Sequence, residues 1–350
     1  MWVTSSLTNA LTPTAVALGN FDGIHRGHRQ VIAPTLHRFK SSPAIAVASP
    51  AVDLHHQFES SSLPNLKDNL EYKVATEAEH VYATVVTFNP HPHQFFSGQS
   101  RKLLTPREEK VQQLRSLGVE QLVLLPFDRE LASLSPQEFV DKILVQQLDV
   151  RYVSVGEDFH FGHRRTGTAA DLKAIASSYG IDVEIVSLEK CQGERISSSL
   201  IRQSLSSGEI AQANRLLGRS YTLIGTVVKG QQLGRTIGFP TANLQLPEDK
   251  FLPKHGVYSV RVCSSSLASL AVPQSGVMNI GQRPTVNGTT ITVEIHLLDW
   301  SGDLYGQTLT VSLEQFLRPE QKFASLDALK SQIQADCEAA RAFLGHHQKL

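Results

Sequence analysis

Two histidines lie three positions apart near the start of the chain, in the stretch ALGNFDGIHRGHRQVIAP (17–34). The apolar run TAVAL (14–18) precedes them, and a glycine-rich turn leads into a segment with helical character. In a strand–turn–helix unit, the unpaired N–H groups and the dipole of the helix N-terminus attract phosphate. His25 and His28 could then donate hydrogen bonds to phosphoryl oxygens as charge builds in a transition state. A plain glycine turn with two solvated histidines is the alternative, and the strand–turn–helix context favours phosphate binding.

A second stretch with phosphate-binding residue types, ERISSSLIR (194–202), lies far downstream. Its serines can cap a helix and bind phosphate oxygens, and its arginines can bind them bidentately. Taken alone, the stretch is better explained as a capped surface helix that carries arginines. Neither a GxxxxGK[ST] loop nor a GxGxxG turn occurs in the chain, so the two common glycine-rich nucleotide motifs are excluded.

The second half of the chain offers different candidates, beginning with Gly230, Gly234 and Gly238. Glycines let a backbone approach phosphates closely. Thr241 and Asn243 follow in the stretch GFPTAN. On a strand these two side chains would share a face, where a hydroxyl and an amide oxygen are suitable ligands for Mg²⁺. Taken alone, GFPTAN is better explained as a turn followed by a strand.

One carboxylate in the second half lies on the polar face of a predicted strand, TITVEIHLLD (290–299). Glu294 shares that face with Thr292 and His296, opposite the apolar residues. Such a carboxylate is usually only solvated, but it is a general base if it reaches a substrate hydroxyl. The residues alone leave both interpretations open.

In the first half, strands alternate with helices, which predicts a doubly wound parallel α/β sheet. Its predicted strands are 14–18, 83–88, 121–125, 151–155 and 182–186. Capping patterns predict helix starts at Thr105, at Ser135 and, more loosely, at Thr168, and Gly180 is placed to end the last of these helices. Ligands of such sheets bind at the carboxyl ends of the strands.

From about Tyr221, short alternating runs predict a small antiparallel β-barrel. The runs are YTLIGTVV, GVYSVRV, TITVEIHLLD and QTLTVSL. Two short helices in SSSLIRQSLSSGEIAQANRLLG are expected to join the two halves. Ser325 can cap a C-terminal helix whose apolar face packs on the barrel. That face comprises Leu326, Leu329, Ile333, Cys337 and Ala340.

The length of 350 residues predicts two domains, and 41% hydrophobic with 19% charged residues predicts a soluble globular protein. A net charge of +0 gives no general attraction to nucleic acid or membranes, although it does not exclude a local basic patch. Three scattered cysteines form neither a disulfide framework nor a zinc spacing. With no secretory signal or membrane-spanning run, we expect a cytoplasmic protein. Its oligomeric state stays open.

One segment, from about Ser41 to Glu79, is rich in serine and proline and has no sustained period. It is expected to be a long surface loop or insertion. An ordinary helix over Leu66 to Val81 is an equally good interpretation of its second part.

Nine motifs, in order, closely resemble the prokaryotic bifunctional riboflavin kinase/FAD synthetase family over nearly the whole chain. They are GNFDGIHRGH, TFNPHPHQFF, LLTPREEK, VGEDFHFGHRRTG and ISSSLIR, then GRTIGFPTANL, GVMNIGQRPT, VEIHLLDWSGDLYG and FLRPEQKF. The resemblance implies an FMN adenylyltransferase domain over residues 1–187, a helical linker over 188–218 and a riboflavin kinase domain over 219–350. The implied chemistry is riboflavin to FMN and then FMN to FAD, with ATP and Mg²⁺ in both steps.

For the first domain, the resemblance implies three groups of site residues. The catalytic residues would be His25, His28 and Asp158. The ATP-binding residues would be Gly19, Phe21, Arg195, Ser198, Ser199 and Arg202. The flavin-binding residues would be Phe88, Pro90 and Pro92.

For the second domain, the resemblance implies that Thr241 and Asn243 hold Mg²⁺–ATP beside the loop of Gly230, Gly234 and Gly238. It further implies that Glu294 is the base that activates the 5′-hydroxyl of riboflavin. Arg318 would lie near the flavin and nucleotide loops.

The chain departs from the family pattern at three positions. Asn89 stands where the family usually has an acidic residue, Ser199 stands for a threonine, and Thr168 lies where Gly-Asp is common. Two other functions compete with the bifunctional one. Another adenylyltransferase with an HxGH turn would not need the GFPTAN barrel, and a flavin-binding protein without one activity would not need both residue sets intact.

Overall fold

The computed structural model of this protein describes residues 1–38, 80–187, 189–191, 193–230, 232–285 and 288–346. The predicted surface segment, Ser41–Glu79, lies outside these residues, as does most of the alternative helix. Among the described residues, no helix is both long and apolar enough to cross a membrane.

The first part of the chain, called here the sheet region, is a parallel sheet flanked by helices. Its strands are β1 (Trp2–Thr4), β2 (Thr14–Leu18), β3 (Tyr82–Asn89), β4 (Gln121–Pro126), β5 (Val150–Gly156), β6 (His160–Phe161), β7 (Gly167–Thr168) and β8 (Asp182–Val186). Its helices are α1 (Arg26–His37), α2 (Pro92–Ser97), α3 (Arg107–Ser116), α4 (Arg129–Ser133), α5 (Pro136–Glu138) and α6 (Ala169–Ser177), with a π-helical run, Phe139–Gln147, after α5.

Six strands form the sheet in the order β1-β4-β3-β2-β5-β8, and every neighbouring pair is parallel. The predicted doubly wound α/β fold and all five predicted strands are confirmed. All five residues of β2 are buried, as expected for a central strand covered on both faces. Strand β1 was not predicted, since three residues are too few to show a period.

Two of the three predicted helix caps are confirmed. Ser135 and Thr168 each form a complete capping box, with Glu138 and Asp171 as the partners. The prediction for Thr105 is wrong: its hydroxyl accepts a hydrogen bond from the Gly23 N–H at 2.9 Å, and α3 begins without a side-chain cap. That hydroxyl therefore connects two loops of the site instead of starting a helix.

The remaining elements form a connector and what we call the barrel region. The connector has a hairpin of β9 (Lys190–Cys191) and β10 (Glu194–Arg195), followed by α7 (Ser198–Ser207) and α8 (Ile210–Leu217). The barrel region has β11 (Tyr221–Val228), α9 (Leu233–Thr236), β12 (Ala242–Gln245), β13 (Gly256–Cys263), β14 (Gln274–Thr285), β15 (Gly288–Leu297), β16 (Thr308–Arg318) and α10 (Leu326–His346).

The six strands β11–β16 close into an antiparallel barrel in the order β11-β12-β15-β14-β13-β16, which confirms the predicted barrel. Helix α10 packs on it through Cys337 and Ala340, both buried against Val257 and Leu298. The prediction for Leu326 is wrong, because this side chain is 54% exposed at the first turn of α10.

The sheet and barrel regions are joined by a buried contact. Lys250, before β13, makes an ion pair with Glu109 of α3 at 2.5 Å, with side chains 1% and 3% exposed. Arg219 donates to the carbonyl oxygens of Gly23 and Ile24 at 2.8 and 3.2 Å. The start of the barrel region therefore supports the histidine turn of the sheet region directly.

Candidate active sites

The histidine turn lies between the end of β2 and the start of α1. His25 is the N-cap of α1, and its Nδ1 accepts a hydrogen bond from the His28 N–H at 3.2 Å. The two imidazoles stack, with centroids 3.6 Å apart and planes 15° apart. The Phe21 ring meets the His28 ring edge-on, with centroids 5.3 Å apart. Phe21 also covers Gly19, because a Cβ added at Gly19 would lie 3.3 Å from the Phe21 ring. The structure therefore brings both predicted histidines and their neighbours into one cluster.

Burial keeps both imidazoles neutral at neutral pH. It lowers the pKa of His25 to about 4, and it lowers the pKa of His28 well below its ordinary value. Because Nδ1 of His25 accepts a hydrogen bond, the proton of its neutral ring lies on Nε2. Nδ1 of His28 is buried without a hydrogen-bond partner among the described residues. The pair can thus donate to a phosphate without carrying its own charge.

Asp22, which the sequence analysis did not select, joins the histidine turn to two other segments. Its carboxylate accepts from the Leu104 N–H at 2.9 Å and pairs with Arg202 of α7 at 2.5 Å. Its backbone oxygen accepts from the Ser198 hydroxyl at 2.7 Å. Arg202 also donates to the Lys102 carbonyl oxygen at 2.9 Å, so in this structure its guanidinium is engaged by protein groups. The one sequence signal that Asp22 joins these segments was its position as an acidic residue within the glycine-rich turn.

Asp158, Arg195 and Ser199 lie at the same end of the sheet region. Asp158 makes an ion pair with Arg195 of β10. The charges of both residues act on the pKa of His25, the carboxylate raising it and the guanidinium lowering it. Ser199 is exposed on the first turn of α7, one residue after Ser198. The predicted ATP-binding residues thus surround the histidine turn from its connector side.

An aromatic and proline-rich surface follows β3. Phe88 follows the buried part of this strand, and its ring lies 5.6 Å from that of Phe127. The ring of Phe95 on α2 lies 5.4 Å from the same Phe127 ring. Pro90 follows the strand directly, and Pro92 is the first residue of α2. Phe127 and Phe95 were not predicted, although the two adjacent phenylalanines that end the stretch TFNPHPHQFF could have suggested Phe95.

The candidate residues of the barrel region lie on three neighbouring strands. Glu294 of β15 is the register partner of Asn243 on β12 and of Asn279 on β14. Register partners in an antiparallel sheet point to the same face, so an amide, a carboxylate and a second amide form a row. Asn279 was not predicted. Thr241 precedes β12 by one residue.

The glycine loop folds closely over these residues. A Cβ added at Gly230 would lie 2.3 Å from Nδ2 of Asn243, and one added at Gly234 would lie 3.3 Å from Oγ1 of Thr241. Gly238 has a φ of +90°, which favours glycine. The loop therefore needs glycine, and it forms a narrow cradle above a hydroxyl and an amide.

Arg318 lies at the end of β16, where it is bound by α10. Its guanidinium donates to both carboxylate oxygens of Asp336, with the shortest contact at 2.7 Å, and it lies 5.7 Å from the ring of Phe323. A direct flavin contact of Arg318 stays a prediction.

The fold and these clusters are those expected of a nucleotide-dependent transferase. Comparison with protein-family models agrees with this class. Residues 217–344 match the model described as riboflavin kinase, and residues 7–48 and 70–200 match the model described as FAD synthetase. The chain belongs to the bifunctional riboflavin kinase/FMN adenylyltransferase family.

Curated relatives extend along almost the entire chain. The bifunctional riboflavin kinase/FMN adenylyltransferase of Escherichia coli K12 is 37% identical over 94% of this chain and 92% of its own length. The protein of the same name from Bacillus subtilis is 30% identical over 96% and 94%. A crystal structure from Streptococcus pneumoniae, described as a macrolide-efflux protein, has a TM-score of 0.77 at 28% identity, over 97% of this chain and 98% of that one. The efflux description is that of the Streptococcus pneumoniae protein alone.

Proposed function

We propose that this enzyme makes both flavin cofactors at two sites, one in the sheet region and one in the barrel region. It phosphorylates riboflavin with ATP to give FMN and ADP, and it adenylylates FMN with ATP to give FAD and pyrophosphate. The observation that carries the assignment of the second reaction is the stacked pair of His25 and His28 at the N-terminus of α1.

In the proposed adenylyl transfer, a phosphate oxygen of FMN attacks the α-phosphorus of ATP and pyrophosphate leaves. His25 and His28 donate hydrogen bonds to the phosphoryl oxygens, and the N–H groups of α1 add to this stabilisation. Their neutrality supports this role, since a neutral donor needs no counterion before substrate binds. Asp158, Arg195, Ser198, Ser199 and Arg202 complete the ATP side, and Phe88, Pro90 and Pro92 line the flavin side.

In the proposed kinase reaction, Glu294 accepts the proton of the riboflavin 5′-hydroxyl while its oxygen attacks the γ-phosphorus of ATP. Asn243 lies opposite Glu294 in the barrel register, which supports a nucleotide site next to this base. The glycine loop packs directly on Asn243 and Thr241. The neutral side-chain oxygens of these two residues are suitable ligands for Mg²⁺. The ion, when bound, neutralises charge on the phosphates.

The finer organisation is part of the proposal. Residues 1–187 would be the adenylyltransferase domain, 188–218 the linker and 219–350 the kinase domain. The three free cysteines support a reducing location such as the cytoplasm. Assembly into oligomers stays open and is measurable by light scattering.

The test is to incubate the purified enzyme with riboflavin, ATP and Mg²⁺ and to separate the flavins by chromatography. FMN should form first and FAD should follow, and FMN supplied directly should also give FAD. Absence of FAD from supplied FMN would refute the adenylyltransferase site, and absence of FMN from riboflavin would refute the kinase site.

A further inference from the structure

Lys110 is a buried cation at the carboxyl edge of the sheet that the proposed mechanism does not use. Its side chain, on α3, belongs to a residue only 8% exposed. Its ammonium donates to the Asn20 carbonyl oxygen at 3.2 Å, and the Thr87 hydroxyl of β3 donates to the same oxygen at 2.9 Å. The charge therefore lies where β2 and β3 end, which is the ligand-binding edge of a parallel sheet.

The hydrogen bonds of this ammonium are incomplete. An ammonium has three donors, and the Asn20 oxygen is the one hydrogen-bond acceptor for Lys110 among the residues that the structure describes. A buried charge without partners is costly, so such a group normally faces an anion. Burial lowers the pKa of Lys110, and the charge of Asp22, the nearby carboxylate, opposes this shift. However, that carboxylate already accepts from Leu104 and pairs with Arg202.

A second cation lies in the same neighbourhood. Arg101 is half-buried, and its pKa is lowered by burial and by the positive charge of Arg202. Within the described part of the chain, no acceptor or counterion contacts its guanidinium at hydrogen-bond distance. Among the described residues, the carboxylate of Asp22 is thus the one negative charge that acts on all three cations, Arg101, Lys110 and Arg202. The local excess of positive charge predicts an anionic ligand.

The location of these cations indicates which anion they bind. After burial, the charge of Arg101 is the strongest influence that lowers the pKa of His91, and Lys110 acts in the same direction. His91 lies between Pro90 and Pro92 in the flavin-side surface. Lys110 also acts on His28. Lys110 contacts the Asn20 carbonyl oxygen of the histidine turn, and Thr87 of β3, the strand that leads to the flavin side, donates to the same oxygen. The cations therefore lie next to both the flavin side and the histidine pair, where the phosphate of the acceptor must lie to reach ATP.

We propose that Lys110 and Arg101 form an anion subsite that binds the 5′-phosphate of FMN, and that this subsite makes the adenylyltransferase select FMN over riboflavin. The inference rests on the proposed function of the sheet region. FMN differs from riboflavin by one phosphate, so a subsite for that group is what separates the two flavins. Holding the phosphate also orients the attacking oxygen toward ATP.

The experiment measures the KM for FMN and for ATP in the adenylylation of FMN by three variants. In Lys110→Met and in Arg101→Gln, the KM for FMN should rise about tenfold or more, as expected for loss of a charge-assisted hydrogen bond. The KM for ATP should stay within about twofold, because these variants leave the proposed ATP-binding residues unchanged. Lys142→Met is the matched control, since its ammonium pairs with Glu138 on the exposed surface and it should leave both constants unchanged.

Each outcome of this experiment either supports or overturns the subsite. An unchanged KM for FMN in both variants overturns the subsite, and an equal rise in both constants assigns the cations to ATP instead. Riboflavin kinase activity reports folding in the same samples, and Arg101→Gln decides the question if Lys110→Met loses both activities. Failure of the wild-type enzyme to make FAD would overturn the proposed function itself. A wild type that makes FAD, with variants of unchanged KM, overturns the subsite alone.

Discussion

The ion pair between Glu109 and Lys250 should be a main determinant of how firmly the sheet and barrel regions stay together. The Lys250 ammonium contacts the Glu109 carboxylate at 2.5 Å and the Leu104 carbonyl oxygen at 2.8 Å, and it lies 4.3 Å from the ring of Tyr221. The Glu109 carboxylate also accepts from the Ile224 N–H at 3.3 Å. The contacts of Lys250 with Glu109 and Leu104, and that of Ile224 with Glu109, cross from one region to the other.

Replacing Lys250 by Met leaves the Glu109 carboxylate buried without its cation. Removal of one partner from a buried pair costs roughly 3–5 kcal/mol, which is a large part of the roughly 5–15 kcal/mol that holds a domain folded. Burial already raises the pKa of Glu109, and Lys250 opposes this shift. Loss of the lysine therefore favours the protonated carboxyl, so the destabilisation should be smaller at pH 5 than at pH 8.

The assay is urea unfolding followed by circular dichroism at both pH values. The matched control is Lys142→Met, because Lys142 forms an ion pair with Glu138 whose side chains are 48% and 47% exposed, and such pairs contribute about 1 kcal/mol at most. The double variant Glu109→Gln, Lys250→Met should be more stable than Lys250→Met alone. Equal midpoints for Lys250→Met and Lys142→Met would refute the reasoning.

Two further perturbations test the separate sites. Gly230→Ala should lower kcat/KM for riboflavin phosphorylation at least tenfold and leave adenylylation unchanged, because the new Cβ would lie 2.3 Å from Nδ2 of Asn243; equal kinase rates would show that the loop moves freely. Burial lowers the folded-state pKa of His25 from 6.5 to about 4, so the unfolded chain takes up the proton first as the pH falls. The free energy of unfolding should therefore decline between about pH 6.5 and 4, by roughly 3 kcal/mol from this residue, and His25→Gln should flatten that decline in urea titrations.

Much of the fold followed from local patterns in the sequence. Strand β2 and the capping boxes at Ser135 and Thr168 depend on neighbouring residues alone, and each formed as predicted. Thr105 has the same local pattern, yet its hydroxyl bonds to Gly23, which is 82 positions away in the chain. A competing tertiary partner of this kind leaves no local signal.

The residues of the candidate sites also fall into two groups, those that a local sequence pattern indicates and those that only distant partners bring together. His25 and His28 were found because a helix start brings residues three positions apart together. Asp22 and Asn279 were missed because their partners are distant in the chain: Asp22 pairs with Arg202, and Asn279 meets Glu294 only through the barrel register. A sequence shows which groups can do chemistry, but not which hydrogen bonds the tertiary fold will give them.

The central claim is that two separate sites carry out the two reactions. It is tested most directly by measuring FMN and FAD formation in Glu294→Gln and His28→Ala, starting either from riboflavin or from FMN. Glu294→Gln should make no FMN from riboflavin, yet convert supplied FMN to FAD at the wild-type rate. His28→Ala should make FMN normally and form FAD about 100-fold more slowly, as expected for loss of one transition-state donor. Loss of both reactions in either folded variant would contradict the account.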